Sequence, residues 1–373
     1  MTYFEKLNDP VLLIIFIVLS GTSFFLSCMF VVVTRYVVTG RGENDQYAVQ
    51  AAHDGVVSRL GGCAMFLSLL SFLWALNLNM LNPILLTNFD VSFLYLLFAS
   101  SVPIFIVGLS EDLGYLISPS YRLLASIFSG VLVVWTFEVW VKSIGLPIID
   151  IMLSFWLTGV IFTLVAASGV VNAFNLIDGL NGLAGFTGMF VAISLSFIAF
   201  EVNQIEVLRF LFVFSACILG FMFLNFPLGK IFLGDAGAYV MGHILVWTAI
   251  ILVNSSSDIS PFAIFLIFFW PIADTLLAIW RRWKKRKRAD HPDRLHFHQL
   301  VMRFFEIRFL GRNRRRLTNP VTTIFLLPFI AAPQIMGVMF WNNFEVSILL
   351  SIGMIILFFV TYIFGLSFTK RMR

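Results

Sequence analysis

Long apolar blocks separated by short polar intervals set the architecture of this chain. Eleven blocks can each supply the roughly 20 helical residues that cross a hydrocarbon layer of about 30 Å. They cover residues 11–34, 61–81, 91–109, 121–141, 151–171, 183–200, 207–225, 237–254, 261–280, 321–341 and 345–367. Links such as 342–344 are so short that the helices on either side must form tight antiparallel pairs. The longest interval, 281–320, is too small for a separate soluble domain. The pattern therefore predicts an all-α polytopic membrane protein, a single domain over residues 1–373 with a loop at 281–320.

Composition agrees, since 60% of the 373 residues are hydrophobic and only 12% charged. That charged share is about half what a soluble globular protein carries. When the blocks are alternated across a bilayer, Lys6, Lys142 and Arg209 fall with the N-terminus, and the other 22 of the 25 Lys and Arg fall on the opposite side. Positive residues mark the cytoplasmic side, so the N-terminus is expected outside and the C-terminus inside. Fourteen of the basic residues lie between Arg281 and Arg316. The net charge of +5 thus reflects topology and anionic lipid headgroups, without a nucleic-acid partner. The first block is too long, and lacks the cleavage site, for a removed signal peptide. Cys28, Cys63 and Cys217 sit in apolar blocks without ligand spacing and read as small hydrophobic residues.

Ionisable groups near hydrocarbon are costly, so their placement is informative. Here they gather in the intervals expected on the cytoplasmic side: 53–62, 110–122, 172–182, 230–237 and 291–299. In the third, Asn172, Asn175 and Asp178 recur every third residue and form a drifting polar stripe on a helix, ahead of Gly179, Asn181 and Gly182. Asp235 stands within Phe232-Leu-Gly-Asp-Ala-Gly just before a block, and reads equally as a helix N-cap or as a carboxylate near a phosphate-binding helix end. The adjacent Glu111 and Asp112 repel one another unless a cation or proton intervenes, which suits a base, although a solvated loop pair is the plainer reading.

In His291-Pro-Asp-Arg294-Leu-His296-Phe-His298-Gln, the alternating histidines have no third ligand for zinc and suit phosphate contacts. Residues 295–309 beyond them mix Phe, Leu and Val with Arg and Glu, as an interfacial helix does. Asp274 reads either as a site carboxylate or as a partner of Arg281 or Arg282. Glu138 and His243, inside apolar blocks, read as structural. Acidic, Asn, His and Arg residues meeting at one face suit anionic substrates and a hard cation. Magnesium keeps water and substrate phosphate in its shell, so Asp178 and Asp235 would suffice on the protein side.

Five elements in order resemble the polyprenyl-phosphate N-acetylhexosamine-1-phosphate transferase family, glycosyltransferase family 4. They are His53 with Arg59-Leu-Gly-Gly, Glu111-Asp112, the 172–182 element, the 232–237 element, and Pro292-Asp-Arg294 with His296-Phe-His298. The family includes initiators of O-antigen, enterobacterial common antigen and teichoic acid linkage units, and the phospho-MurNAc-pentapeptide translocase. The resemblance implies Mg2+-dependent transfer of HexNAc 1-phosphate from a UDP-sugar to undecaprenyl phosphate, with release of UMP, manganese being the alternative ion. It further implies that Asp178 and Asp235 hold the metal and that Glu111, Asp112 and Asp178 are catalytic. Asn172, Asn175 and Asn181 would serve the nucleotide or the metal's hydration shell, and Phe232 would stack on uracil. Arg294, His296 and His298 would grip the donor, with His53 and Arg59 as further substrate contacts.

Three departures from the family pattern bear on the choice of branch. Glu111 stands where Asp is usual, Asn181 where many relatives have a second Asp, and His-Phe-His-Gln where others have His-x-His-His or three histidines. The O-antigen-initiating branch, in a bacterial inner membrane, is the favoured expectation, with GlcNAc, GalNAc, QuiNAc or FucNAc as donor sugar. The translocase reaction and a transporter of anionic solutes are the alternatives, and a homodimer is one assembly left open. A transporter would place polar groups at mid-membrane on broken helices instead of at one set of helix ends.

Overall fold

The computed structural model describes residues 10–37, 57–77, 91–284, 296–311 and 314–371. It is all-α among these residues, apart from one isolated bridge between Ser58 and Ile231. The helices are α1 (Pro10–Val37), α2 (Gly61–Asn77), α3 (Val91–Asp112), α4 (Pro119–Phe137), α5 (Pro147–Ser154), α6 (Trp156–Ile177) and α7 (Leu183–Glu201). There follow α8 (Ile205–Asn225), α9 (Gly234–Ser255), α10 (Pro261–Ile267), α11 (Phe269–Lys284), α12 (Phe297–Phe305), α13 (Arg315–Met339) and α14 (Phe344–Arg371). Among the described residues nine helices are long and apolar enough to cross a membrane, ten if α10 and α11 form one broken span, and α2 is a shorter apolar helix. Each of the eleven expected blocks has its counterpart in this set.

Two expected spans are reshaped. The ninth is bent by 80° between α10 and α11. Pro271 explains the break, because its ring would clash with the carbonyl four residues back, that of Ile267, where α10 ends. The fifth begins and ends later than expected, since α6 runs on to Ile177. Asn172 remains in that helix by turning its Nδ2 onto the Ser168 carbonyl at 2.8 Å. Glu138 is an exposed, left-handed residue closing α4 and does not lie in a span interior. His243 lies within α9, fully buried, with Nε2 2.9 Å from Ser100 Oγ, so its role is structural as expected.

Helix α9 is the axis of the molecule: 89% of its most apolar stretch is buried, against 22% for α14. Its first turns are Gly234, Asp235, Ala236, Gly237 and Ala238, and this smallness lets α2 and α3 touch it backbone to backbone. A Cβ added at Gly62 would stand 2.1 Å from the Gly237 Cα, and one at Gly108 2.6 Å from the Ala236 Cα. Neither neighbour can yield, being main chain. Gly62→Val is therefore expected to push α2 off α9 and to cost on the order of 3 kcal/mol. Loss of the monodisperse peak of a fluorescent fusion in detergent would register it, and a wild-type melting temperature would refute the close packing.

Candidate active site

The site is built around the N-terminus of α9. Residues 58–62 run beside 231–234: the Phe232 N–H donates to the Ser58 carbonyl at 2.7 Å, Gly61 N–H to Phe232 O at 2.9 Å, and Gly62 N–H to Leu233 O at 2.7 Å. This brings exposed Arg59 to the start of the helix. Gly234 has φ +75°, and a Cβ there would meet the Arg59 carbonyl at 2.0 Å and the Asp112 carboxylate at 2.6 Å, so glycine is required.

Asp112 is tied to the same helix end. Its Oδ1 accepts the Asp235 N–H and its Oδ2 the Ala236 N–H, both at 2.9 Å, so a carboxylate from α3 caps α9 from outside. The local N-cap residue, Leu233, makes no side-chain cap. Asp235 is thereby relieved of the capping role that its position suggests, and its side chain faces the site, where Asn175 Nδ2 donates to it. Glu111 points elsewhere and forms a two-pronged ion pair with Arg122 at 2.9 and 3.2 Å. Arg122 in turn bonds the Tyr239 hydroxyl. The acidic pair thus belongs to the last turn of α3, and its two members have different partners.

Asp178 follows the last residue of α6 and receives the Gly234 N–H, one residue before Asp235. Burial, and then the charge of Asp235, push its carboxyl up to about 7, against the opposing pull of Arg59 and the Gly234 amide. Asp178 and Asp235 therefore share one patch with half-buried Asn175, while Asn172 and Phe232 are also half-buried. Asn181, by contrast, is buried in packing: its N–H donates to Asn319 Oδ1 and its carbonyl accepts from Thr323 Oγ1, both at 2.7 Å. Asn225, which the sequence reading passed over, bonds the Gly182 N–H at 2.6 Å and the Ile231 carbonyl at 2.7 Å. It fastens the 178–182 turn to the 227–231 loop. An Asn closing an apolar block was its only mark in the sequence.

The histidine element closes the other side. His296 stands at the N-cap position of α12, without a side-chain cap of its own, and His298 is in the first turn. Both rings face Asp274, with the His296 Nδ1 at 3.1 Å and the His298 Nδ1 at 3.3 Å from its Oδ2. Asp274 thus partners histidines, and not Arg281 or Arg282 as its position alone allows; Arg281 reaches the Tyr362 hydroxyl at 3.0 Å. A Cβ on Gly179 would lie 2.8 Å from the His298 Nε2, so this ring abuts the turn that carries Asp178. Burial holds His298 below the ordinary imidazole value, with Asp274 opposing. His53 and Arg294 lie outside the described residues. Among the described residues no three His, Cys, Asp or Glu side chains form a ready metal cage.

Residues 93–253 match the model of glycosyl transferase family 4. The undecaprenyl-phosphate alpha-N-acetylglucosaminyl 1-phosphate transferase of Yersinia pestis is 25% identical over 285 residues, 75% of each chain. The probable undecaprenyl-phosphate N-acetylglucosaminyl 1-phosphate transferase of Bacillus subtilis (strain 168) is 27% identical over 290 residues, 78% of this chain and 75% of the relative. The Escherichia coli (strain K12) protein with the same name as that of Yersinia is 32% identical over 150 residues, 39% of this chain and 41% of the relative. The segment 93–253 is thus similar to glycosyl transferase family 4. The family 4 segment contains Glu111, Asp112, Asn172, Asn175, Asp178, Asn181, Phe232 and Asp235. Arg59 and the histidines lie beyond it and reach its residues through contacts, Gly61 and Gly62 with residues 232–233 and His298 with Gly179.

Proposed function

We propose that the protein transfers an N-acetylhexosamine 1-phosphate from a UDP-sugar to undecaprenyl phosphate at the cytoplasmic face of a bacterial inner membrane, releasing UMP. The observation that carries this reading is the meeting of Asp178 and Asp235, from two different helices, at the N-terminus of α9. Two carboxylates with an amide alongside match a hard cation that retains water and substrate phosphate in its shell. Magnesium bound there would offset the repulsion between an anionic acceptor and an anionic donor. Arg59 adds positive charge, Asn172 and Asn175 orient polar donor groups, and half-buried Phe232 offers a ring to the base. Glu111 is the proposed proton acceptor, once the incoming phosphate competes for Arg122, while Asp112 holds α9 in place.

The names of the relatives favour GlcNAc as the sugar. The histidine pattern supports a role in starting a surface polysaccharide such as O-antigen over the translocase reaction. Polar groups collected at one set of helix ends argue against a solute transporter. The test is to supply purified protein with undecaprenyl phosphate and a panel of labelled UDP-HexNAc donors. A lipid-linked diphosphate sugar and stoichiometric UMP are expected, most rapidly with UDP-GlcNAc. Absence of lipid product with every donor would overturn the reading.

A further inference from the structure

Asp274 is a fully buried carboxylate on α11, held between two histidines and a backbone amide. Its Oδ1 accepts the Phe297 N–H at 2.9 Å and its Oδ2 accepts the His296 Nδ1–H at 3.1 Å. The His298 Nδ1 lies 3.3 Å from that same Oδ2, and the two rings stack at 5.6 Å between centroids. Phe297, between them in sequence, is clamped by Trp270 at 5.2 Å and Phe358 at 5.1 Å. One residue thus caps α12 from outside and holds the His296 ring, on which the His298 ring stacks. Both ring nitrogens of His298 are buried without a hydrogen-bond partner, and its Nε2 is aimed at Gly179 beside Asp178.

We infer that Asp274 is a positioning residue for the donor end of the site: by holding the His296 Nδ1 and the first amide of α12 it sets the stacked His298 ring, whose Nε2 faces the Asp178–Gly179 turn, where the donor's anionic groups would lie. This rests on the proposed reaction for the identity of the ligand, but the orientation itself does not. A carboxylate only accepts hydrogen bonds, so the proton of His296 must sit on Nδ1. Such outer partners of functional histidines typically contribute 10- to 100-fold in affinity or activity.

Asp274→Asn gives a sharp test. The Phe297 N–H cannot be inverted, so the amide oxygen must stay on it and the amide NH2 must face the rings. The His296 Nδ1 then becomes an acceptor and the tautomer reverses. With 15N-histidine-labelled protein in detergent, and His296 assigned through His296→Gln, its Nδ1 signal is expected to move from the protonated to the unprotonated range. In turnover, the donor KM should rise about 10- to 100-fold while the acceptor KM holds. In a His296→Ala/His298→Ala background the same substitution should add less than about twofold.

An unchanged Nδ1 signal, or an equal loss in both backgrounds, overturns the inference. The tautomer measurement needs no turnover. If the wild type makes no lipid-linked product while the tautomer still reverses, the proposed reaction fails and the positioning role stands.

Discussion

Asp178→Asn and Asp235→Asn are each expected to abolish the proposed transfer, by on the order of 10³-fold or more, while the protein remains folded. The two carboxylates meet where the Gly234 amide points at Asp178 and the Asn175 amide donates to Asp235, so neither can be replaced by a neighbour. An Asn side chain fits either place but carries no charge for a cation. His243→Ala, in the interior of α9 and bonded to Ser100, is the control and should keep near-normal turnover. Near-normal turnover in either Asn variant would remove the metal assignment.

Stability moves the other way at Asp178. Its folded value of about 7 lies above the ordinary 3.8, so the ionised group disfavours the fold. That penalty is absent below about pH 4, grows as pH rises toward 7, and is constant above. In divalent-free buffer Asp178→Asn should therefore melt higher than wild type, by more at pH 8 than at pH 5. A smaller gain at pH 8 would contradict the burial of this carboxylate.

Removing divalent cations should stop the reaction as completely as losing a carboxylate. Asp178 and Asp235 share a patch that, in the proposed reaction, also receives a diphosphate and a second phosphate, with Arg59 as the opposing charge acting on Asp178. Two like charges about 4 Å apart repel by roughly 4 kcal/mol at an effective dielectric of 20. That alone corresponds to about a thousandfold in rate. Chelator-treated protein is expected to form no lipid-linked product and to recover fully with Mg2+ and partly with Mn2+. Without substrate, Mg2+ should raise the melting temperature of the wild type and leave Asp178→Asn unmoved. Undiminished turnover after chelation would exclude a divalent ion from the step.

The site was legible in part because its residues break the apolar pattern. Asn172, Asn175, Asp178 and Asp235 stand out against long hydrophobic blocks, and the last three meet in the folded chain. Asp274 and Asn225 were obscure because each is a single polar residue at a block's end, indistinguishable in sequence from Glu138, which faces outward. Asn181 misled in the opposite sense: it continues the polar series, yet its bonds to Asn319 and Thr323 place it in the packing.

The lengths and polarity of the blocks were enough to establish an all-α membrane protein and the helix ends where its polar residues gather, because helix formation and burial in hydrocarbon depend on residues adjacent in the chain. Only the tertiary structure decided that Asp112 caps α9, that Asp274 holds His296 and that Gly62 and Gly237 bring α2 onto the central helix. Those contacts join residues 123, 22 and 175 positions apart. A carboxylate's partner is set by which helix end lies within 3 Å of it, and no local pattern of hydropathy encodes that distance.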